Sequence, residues 1–95
     1  WGKRINQEKQ LPHMESTHTA GKSYIYDSVD VQELFNKHYG TGRIELDRYG
    51  RRTNKEIIEL GYPIGINGSD GSEVTSIKIH HSEKRTHIVP KKGDQ

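Results

Sequence analysis

Apolar and polar residues alternate most cleanly near the end of the chain, where Ile77 and Ile79 are interleaved with Ser76, Lys78, His80 and Ser82. Successive side chains of a strand point to opposite faces, so Thr75 to Ser82 reads as a strand with one apolar face and one face of ammonium, imidazole and hydroxyl groups. A second strand, Arg85 to Val89, brings Thr86 and His87 alongside Ile88. One face builds a core and the other is free to carry chemistry.

The period changes upstream. Val31, Leu34 and Phe35 recur at helical spacing, Asp27 or Ser28 can cap the segment, Asp30 and Glu33 sit near its positive end, and Gly40 stops it. Residues 5–15 are a sparser mixture around Ile5, Leu11 and Met14 that fits a short helix or arm ending before Pro12, with Lys9 and His13 on one face. A Ser, Thr and Gly-rich loop from Glu15 to Lys22 precedes a short strand, Ser23 to Tyr26. From Arg43 the pattern is antiparallel: strands Arg43 to Asp47, Thr53 to Leu60 and Tyr62 to Ile66, joined by turns at Arg48-Tyr49-Gly50 and Asn67 to Gly71. These elements predict an α+β domain, one or two N-terminal helices packed on a meandering antiparallel sheet of four to five strands. Such a sheet leaves its second face open.

Composition narrows the size of the core. The chain has 95 residues, 28% hydrophobic and 29% charged, with a formal net charge of +2. This is one small domain, 1–95, whose ten isoleucines concentrate the hydrophobic drive. Absence of cysteine removes disulfides and thiolate zinc sites. No apolar run approaches the roughly 20 residues that span a bilayer, and Trp1-Gly2-Lys3-Arg4 does not open a signal peptide. A start on tryptophan reads as a fragment of a larger protein. Acidic residues gather at Asp27, Asp30, Glu33, Glu45, Asp47, Glu56 and Glu59, whereas Lys3, Arg4 and Lys9 near one end and Lys78, Lys84, Arg85, Lys91 and Lys92 near the other form one basic patch if the ends meet.

Six histidines make acid–base chemistry the first candidate. His38, in the last turn of the helix, complements the helix dipole, His18 sits in a polar loop, and His81 points to the helix side of its strand. His80, His87 and His13 remain. Adjacent His80 and His81 face opposite ways, no His-x-x-x-His occurs, and carboxylates near the imidazoles are few, which disfavours a metal site and a metal cofactor. Ser82 lacks the glycine elbow of a serine nucleophile, and the glycines match no phosphate loop. Cleavage of RNA through its ribose 2′-hydroxyl suits the set: it needs a base, an acid and cationic or hydroxyl groups to hold the charge growing on phosphorus. His13, His80, His87, Lys78, Ser82 and Thr86 are the catalytic candidates; Lys9, Lys55, Lys84 and Arg85 are the substrate-binding ones. A non-catalytic RNA- or protein-binding module would carry much the same face.

The order of motifs Lys9-Gln10, His13, Ser23-Tyr24-Ile25, Gly40-Thr41-Gly42, Asn54-Lys55-Glu56, Pro63-Ile64-Gly65, Lys78-Ile79-His80-His81-Ser82 and Thr86-His87-Ile88-Val89-Pro90 resembles the bacterial polymorphic toxin type 50 family, from about Lys9 to Pro90. The ending, Lys-Ile-His-x-Ser followed by Thr-His-Ile-Val-Pro, is its most specific part. That resemblance implies a ribonuclease toxin of the barnase, EndoU, colicin E5/D and RelE fold group, carried at the C-terminus of a secreted or delivered protein, acting in the cytoplasm of a target bacterium and neutralised by a cognate immunity protein. It carries His13, Lys78, His80, Ser82, Thr86 and His87 over as site residues. The chain departs from it at His81, where the family usually has tyrosine, and at Lys84-Arg85, which replace a small-residue turn.

Overall fold

A computed structural model describes residues 1–91, so that Lys92 of the basic patch lies outside the described residues. The architecture is α+β. Its elements are helix α1 (Gln7–Gln10), a 3-10 turn Leu11–His13, strand β1 (Tyr24–Ile25), helix α2 (Val31–His38), and strands β2 (Arg43–Leu46), β3 (Arg52–Glu59), β4 (Gly65–Ile66), β5 (Glu73–Val74), β6 (Ser76–His80) and β7 (His87–Lys91). Two antiparallel sheets result: a four-stranded one in the order β2-β3-β6-β7 and a three-stranded one in the order β1-β4-β5.

The expected meander is therefore interrupted. After β3 the chain leaves the main sheet, makes β4 and β5 with β1, and returns as β6 beside β3. The strand expected over Thr75 to Ser82 is observed as β6, Ser76–His80, with the separate strand β5 just before it, and only Gly65–Ile66 of the expected Tyr62 to Ile66 strand is a strand. Gly65 explains part of the diversion: a β-carbon there would lie 2.0 Å from the Tyr24 carbonyl oxygen, so only glycine lets β4 approach β1 this closely.

Helix α2 starts later than Asp27 or Ser28. Asp30 is the cap, its carboxylate accepting from the Glu33 amide at 3.0 Å, while Asp27 accepts from Ser16 and ties down the preceding loop. Gly40, at φ +82°, follows the helix with the left-handed conformation that ends it. Helix α1 stops at Gln10, and Pro12 falls in the first turn of the 3-10 segment, where its missing N–H costs nothing.

Val31, Leu34 and Phe35 of α2 meet Ile58, Ile77, Ile79 and Ile88 of the main sheet in one core with Ile25 and Val74 of the small sheet and Ile64 just before β4. Ile77, Ile79 and Ile88 are wholly buried, and truncating any of them to alanine would cost about 2–5 kcal/mol. The strand alternation is thereby anchored, and with it the direction in which Lys78 and His80 project.

Candidate active site

Cross-strand register sets the geometry of the open face. Lys55 of β3 pairs with His80 of β6, which pairs with His87 of β7, so the three side chains stand in one row on the face away from α2. The His80 and His87 ring centroids are 4.7 Å apart, inclined at 30°. His13 extends the row from outside the sheet, stacking on His87 at 5.4 Å with the planes within 9° of parallel.

The N-terminal arm reaches that position because it lies along the exposed edge of β7. The Gly2 amide donates to Ser82, the Asn6 amide donates to the Thr86 carbonyl, and buried Gln10 closes the run: its side-chain oxygen accepts from the Ile88 amide and its nitrogen donates to the Ile88 carbonyl, both at 2.8 Å. One glutamine satisfies both edge groups of Ile88 and fixes the turn that presents His13.

Electrostatics follow from this crowding. Burial lowers the His80 pKa to about 4, helped by the neighbouring His87, Lys55, Lys78 and His13. His13 is lowered by burial and then by His87. The His87 Nδ1 lies 2.9 Å from the Arg85 carbonyl oxygen; a carbonyl can only accept, so Nδ1 carries hydrogen and Nε2 is the nitrogen left for chemistry. Two residues from His80 on the same face, the Lys78 ammonium contacts Glu45 at 2.8 Å, and that contact holds the Glu45 carboxyl below its usual value. A cleft of about 480 Å³ opens beside the row between His13, His80, Val89 and Pro90 on one side and Thr19, Lys22 and Ser23 on the other.

The family model for bacterial toxin 50 matches residues 5–90, a span that holds the whole row. The chain belongs to the bacterial toxin 50 family. No curated protein matches it significantly.

The other sequence candidates of this toxin domain are placed differently. Thr86 is wholly buried: its hydroxyl donates to the Ser82 carbonyl at 2.7 Å and accepts from the Ser82 amide, while the Ser82 hydroxyl accepts from Arg85. Both hydroxyls are thus engaged in the β6–β7 turn, not in the imidazole row. Lys84 and Arg85 are exposed on that turn, and the Lys84 carbonyl accepts from Asn6, which brings the two chain ends together as the basic patch requires. Lys9 is exposed on α1. The His13 and His87 rings are stacked and those of His80 and His87 tilted, and no group of three His, Asp or Glu among the described residues is placed to hold a metal ion.

Glu45, Lys22 and Gln10 are groups of the site that sequence reasoning did not single out. Alternation along β2 could have placed Glu45 on the Arg43 face, but its contact with Lys78 depends on β3 lying between β2 and β6. Lys22 reaches the cleft through the bridge between Met14 and Ile25, which nothing local signals.

His81 faces the opposite way. It is buried, its ring edge meets Phe35 at 5.9 Å, its other neighbour is the Trp1 ring at 5.0 Å, and Nε2 donates to the Glu56 carboxylate at 2.8 Å. Burial opposes ionisation of Glu56, but the amides of Gly40 and Gly42 and the His81 imidazole outweigh it and hold the carboxyl below its usual value.

Proposed function

We propose that this toxin domain is an endoribonuclease that cleaves cellular RNA, tRNA among the candidates, by attack of the ribose 2′-hydroxyl, with imidazole and ammonium groups supplying the catalysis. The single observation that carries the reading is the row Lys55, His80, His87 with His13 stacked on its end. Such a row offers a proton acceptor, a proton donor and a cationic seat within the span of one phosphodiester.

His80, neutral near pH 7, takes the 2′-proton as the 2′-oxygen bonds to phosphorus. The bond from phosphorus to the 5′-oxygen breaks, and the leaving oxygen takes a proton from Nε2 of protonated His87. The products are a 2′,3′-cyclic phosphate and a free 5′-hydroxyl. A histidine held near pKa 4 is a weak base on its own. A phosphate seated against Lys55 and Lys78 raises it, because the anion offsets the cations that depress it. His13 positions His87 through the stack, and Glu45 holds the Lys78 ammonium on the site face until phosphate replaces it.

Such an enzyme needs an inhibitor in the cell that makes it. The cationic face fits an acidic immunity protein that covers the row or closes access to it, with association that slows as salt rises. The domain, delivered as part of a larger protein, would meet RNA in the cytoplasm of the target bacterium.

Purified protein incubated with total RNA in excess EDTA tests the reading. Discrete fragments ending in 2′,3′-cyclic phosphate are expected. Intact RNA with measurable binding would replace it by a non-catalytic RNA-binding module. Expression of the domain alone should arrest growth, with relief by the adjacent open reading frame; harmless expression of folded protein in several hosts would count against both toxin and inhibitor.

A further inference from the structure

The helix side of the main sheet carries a separate cleft of about 390 Å³ over the Glu56 and His81 pair. Two ring stacks wall it. Trp1 lies on His81 with planes inclined at 18°, Tyr39 lies on Phe35 at 5.2 Å with planes inclined at 11°, and the edge contact of Phe35 with His81 sets the stacks at an angle. Trp1 is 68% and Tyr39 39% exposed, so both leave flat aromatic surface uncovered. Lys3 and Arg52 complete the lining, with the Lys3 ammonium 5.3 Å from the Tyr39 ring centre.

The floor is compatible with an anion. Both Glu56 oxygens are engaged, one by Gly40 and His81 and the other by Gly42, so the carboxylate is compensated. Gly42 permits this: a β-carbon there would lie 2.2 Å from the Ile57 carbonyl oxygen. With Nε2 committed to Glu56, Nδ1 of His81 has no hydrogen-bond partner among the described residues. Flat ring faces select a planar group, the cations select negative charge, and the volume falls in the range of about 300–1,000 Å³ common for small-molecule sites.

We propose that this cleft is a nucleotide site, in which a base stacks on the exposed rings of Trp1 and Tyr39 and a phosphate is held by Arg52 and Lys3. The ligand is a free nucleotide or one nucleotide of an RNA strand. The site lies on the face opposite the imidazole row and does not depend on cleavage there.

Trp1 is the only tryptophan of the chain, so its fluorescence reports on this cleft alone. Titration with 5′-AMP and 5′-GMP at low salt should quench it saturably with a Kd of about 0.1–1 mM. Arg52→Ala and Tyr39→Ala, checked for folding by circular dichroism, should each weaken binding about tenfold. Inorganic phosphate should leave the fluorescence unchanged and compete poorly. A short 2′-deoxy strand that quenches at least about tenfold tighter assigns the site to a strand; equal affinity assigns it to the free nucleotide. No saturable quench, competition by phosphate as strong as by nucleotide, or unchanged binding in folded Arg52→Ala overturns the proposal. His80→Ala should bind as wild type, so a failed titration counts against this site and failed RNA cleavage against the imidazole row.

Discussion

His80 and His81 are adjacent in the chain, yet the sheet sends their identical rings into opposite settings. On the open face His80 meets His87, Lys55 and Lys78, and burial together with that positive charge pushes its pKa down to about 4. On the helix face His81 meets the Glu56 carboxylate, Phe35 and Trp1 and is buried. The difference teaches that the partner, not the ring, decides the role. An imidazole crowded by cations stays neutral and ready to accept a proton, whereas one clamped on an ionised carboxylate becomes part of the frame.

The sharpest way to break the comparison is to remove the rest of the open row. His87→Ala should lower RNA cleavage by a factor on the order of 10² or more, with an unchanged melting curve, because the acid is lost while no core contact is. A wild-type rate would remove His87 from the site. Lys78→Ala should cost roughly tenfold, with partial recovery in Lys78→Arg, where charge survives and geometry changes. Equal and complete loss in both would make the ammonium the proton donor. Gln10→Ala should destabilise by about 2 kcal/mol, since it leaves both edge groups of Ile88 unpaired, and should lower cleavage with it by releasing His13. Chemical denaturation beside the rate assay reads both effects.

A smaller effect comes from pH. A histidine whose folded pKa lies below its ordinary value leaves the unfolded chain binding more protons, so stability is complete above about pH 6.5 and falls as pH drops toward 4. His13 acts in the same direction, and Glu45 and Glu56, held ionised in the fold, continue the loss at lower pH. RNA affinity should move the other way and rise on acidification from pH 7 to 5, because phosphate favours the protonated row. Melting curves and binding titrations across that range, with His80→Asn as the variant that flattens both, would check the opposed signs. Glu45→Gln should tighten RNA binding by only a few-fold, the worth of one half-exposed ion pair.

Much of this was legible in the order of residues. Alternation in Ser76 to His80 placed Lys78 and His80 on one face and Ile77 and Ile79 on the other, and the spacing of Val31, Leu34 and Phe35 located α2. The pairing of β6 with β3 was not legible, because alternation tells which way a side chain points but not which strand lies beside it. The contact of Lys55 with His80 follows from that pairing, and the contact of Lys78 with Glu45 needs it together with the pairing of β2 and β3. Thr86 looked like a hydroxyl of the open face; the turn between β6 and β7 consumes it, since a buried hydroxyl must find partners where the backbone leaves carbonyls and amides unpaired. Gln10 reads as one more polar residue of a short helix until the unpaired edge of β7 is known.

One paired measurement tests the central claim most directly: the cleavage rate and melting midpoint of His80→Ala and His81→Ala, determined side by side. Loss of His80 should reduce the rate by a factor on the order of 10² or more and leave the midpoint unchanged. Loss of His81, which takes one of three donors from the buried Glu56 carboxylate, should destabilise by about 2 kcal/mol while the rate per folded molecule stays within a few-fold of wild type. A wild-type rate in His80→Ala, or a folded His81→Ala protein of full stability that no longer cleaves, would contradict the assignment of chemistry to one face and framework to the other.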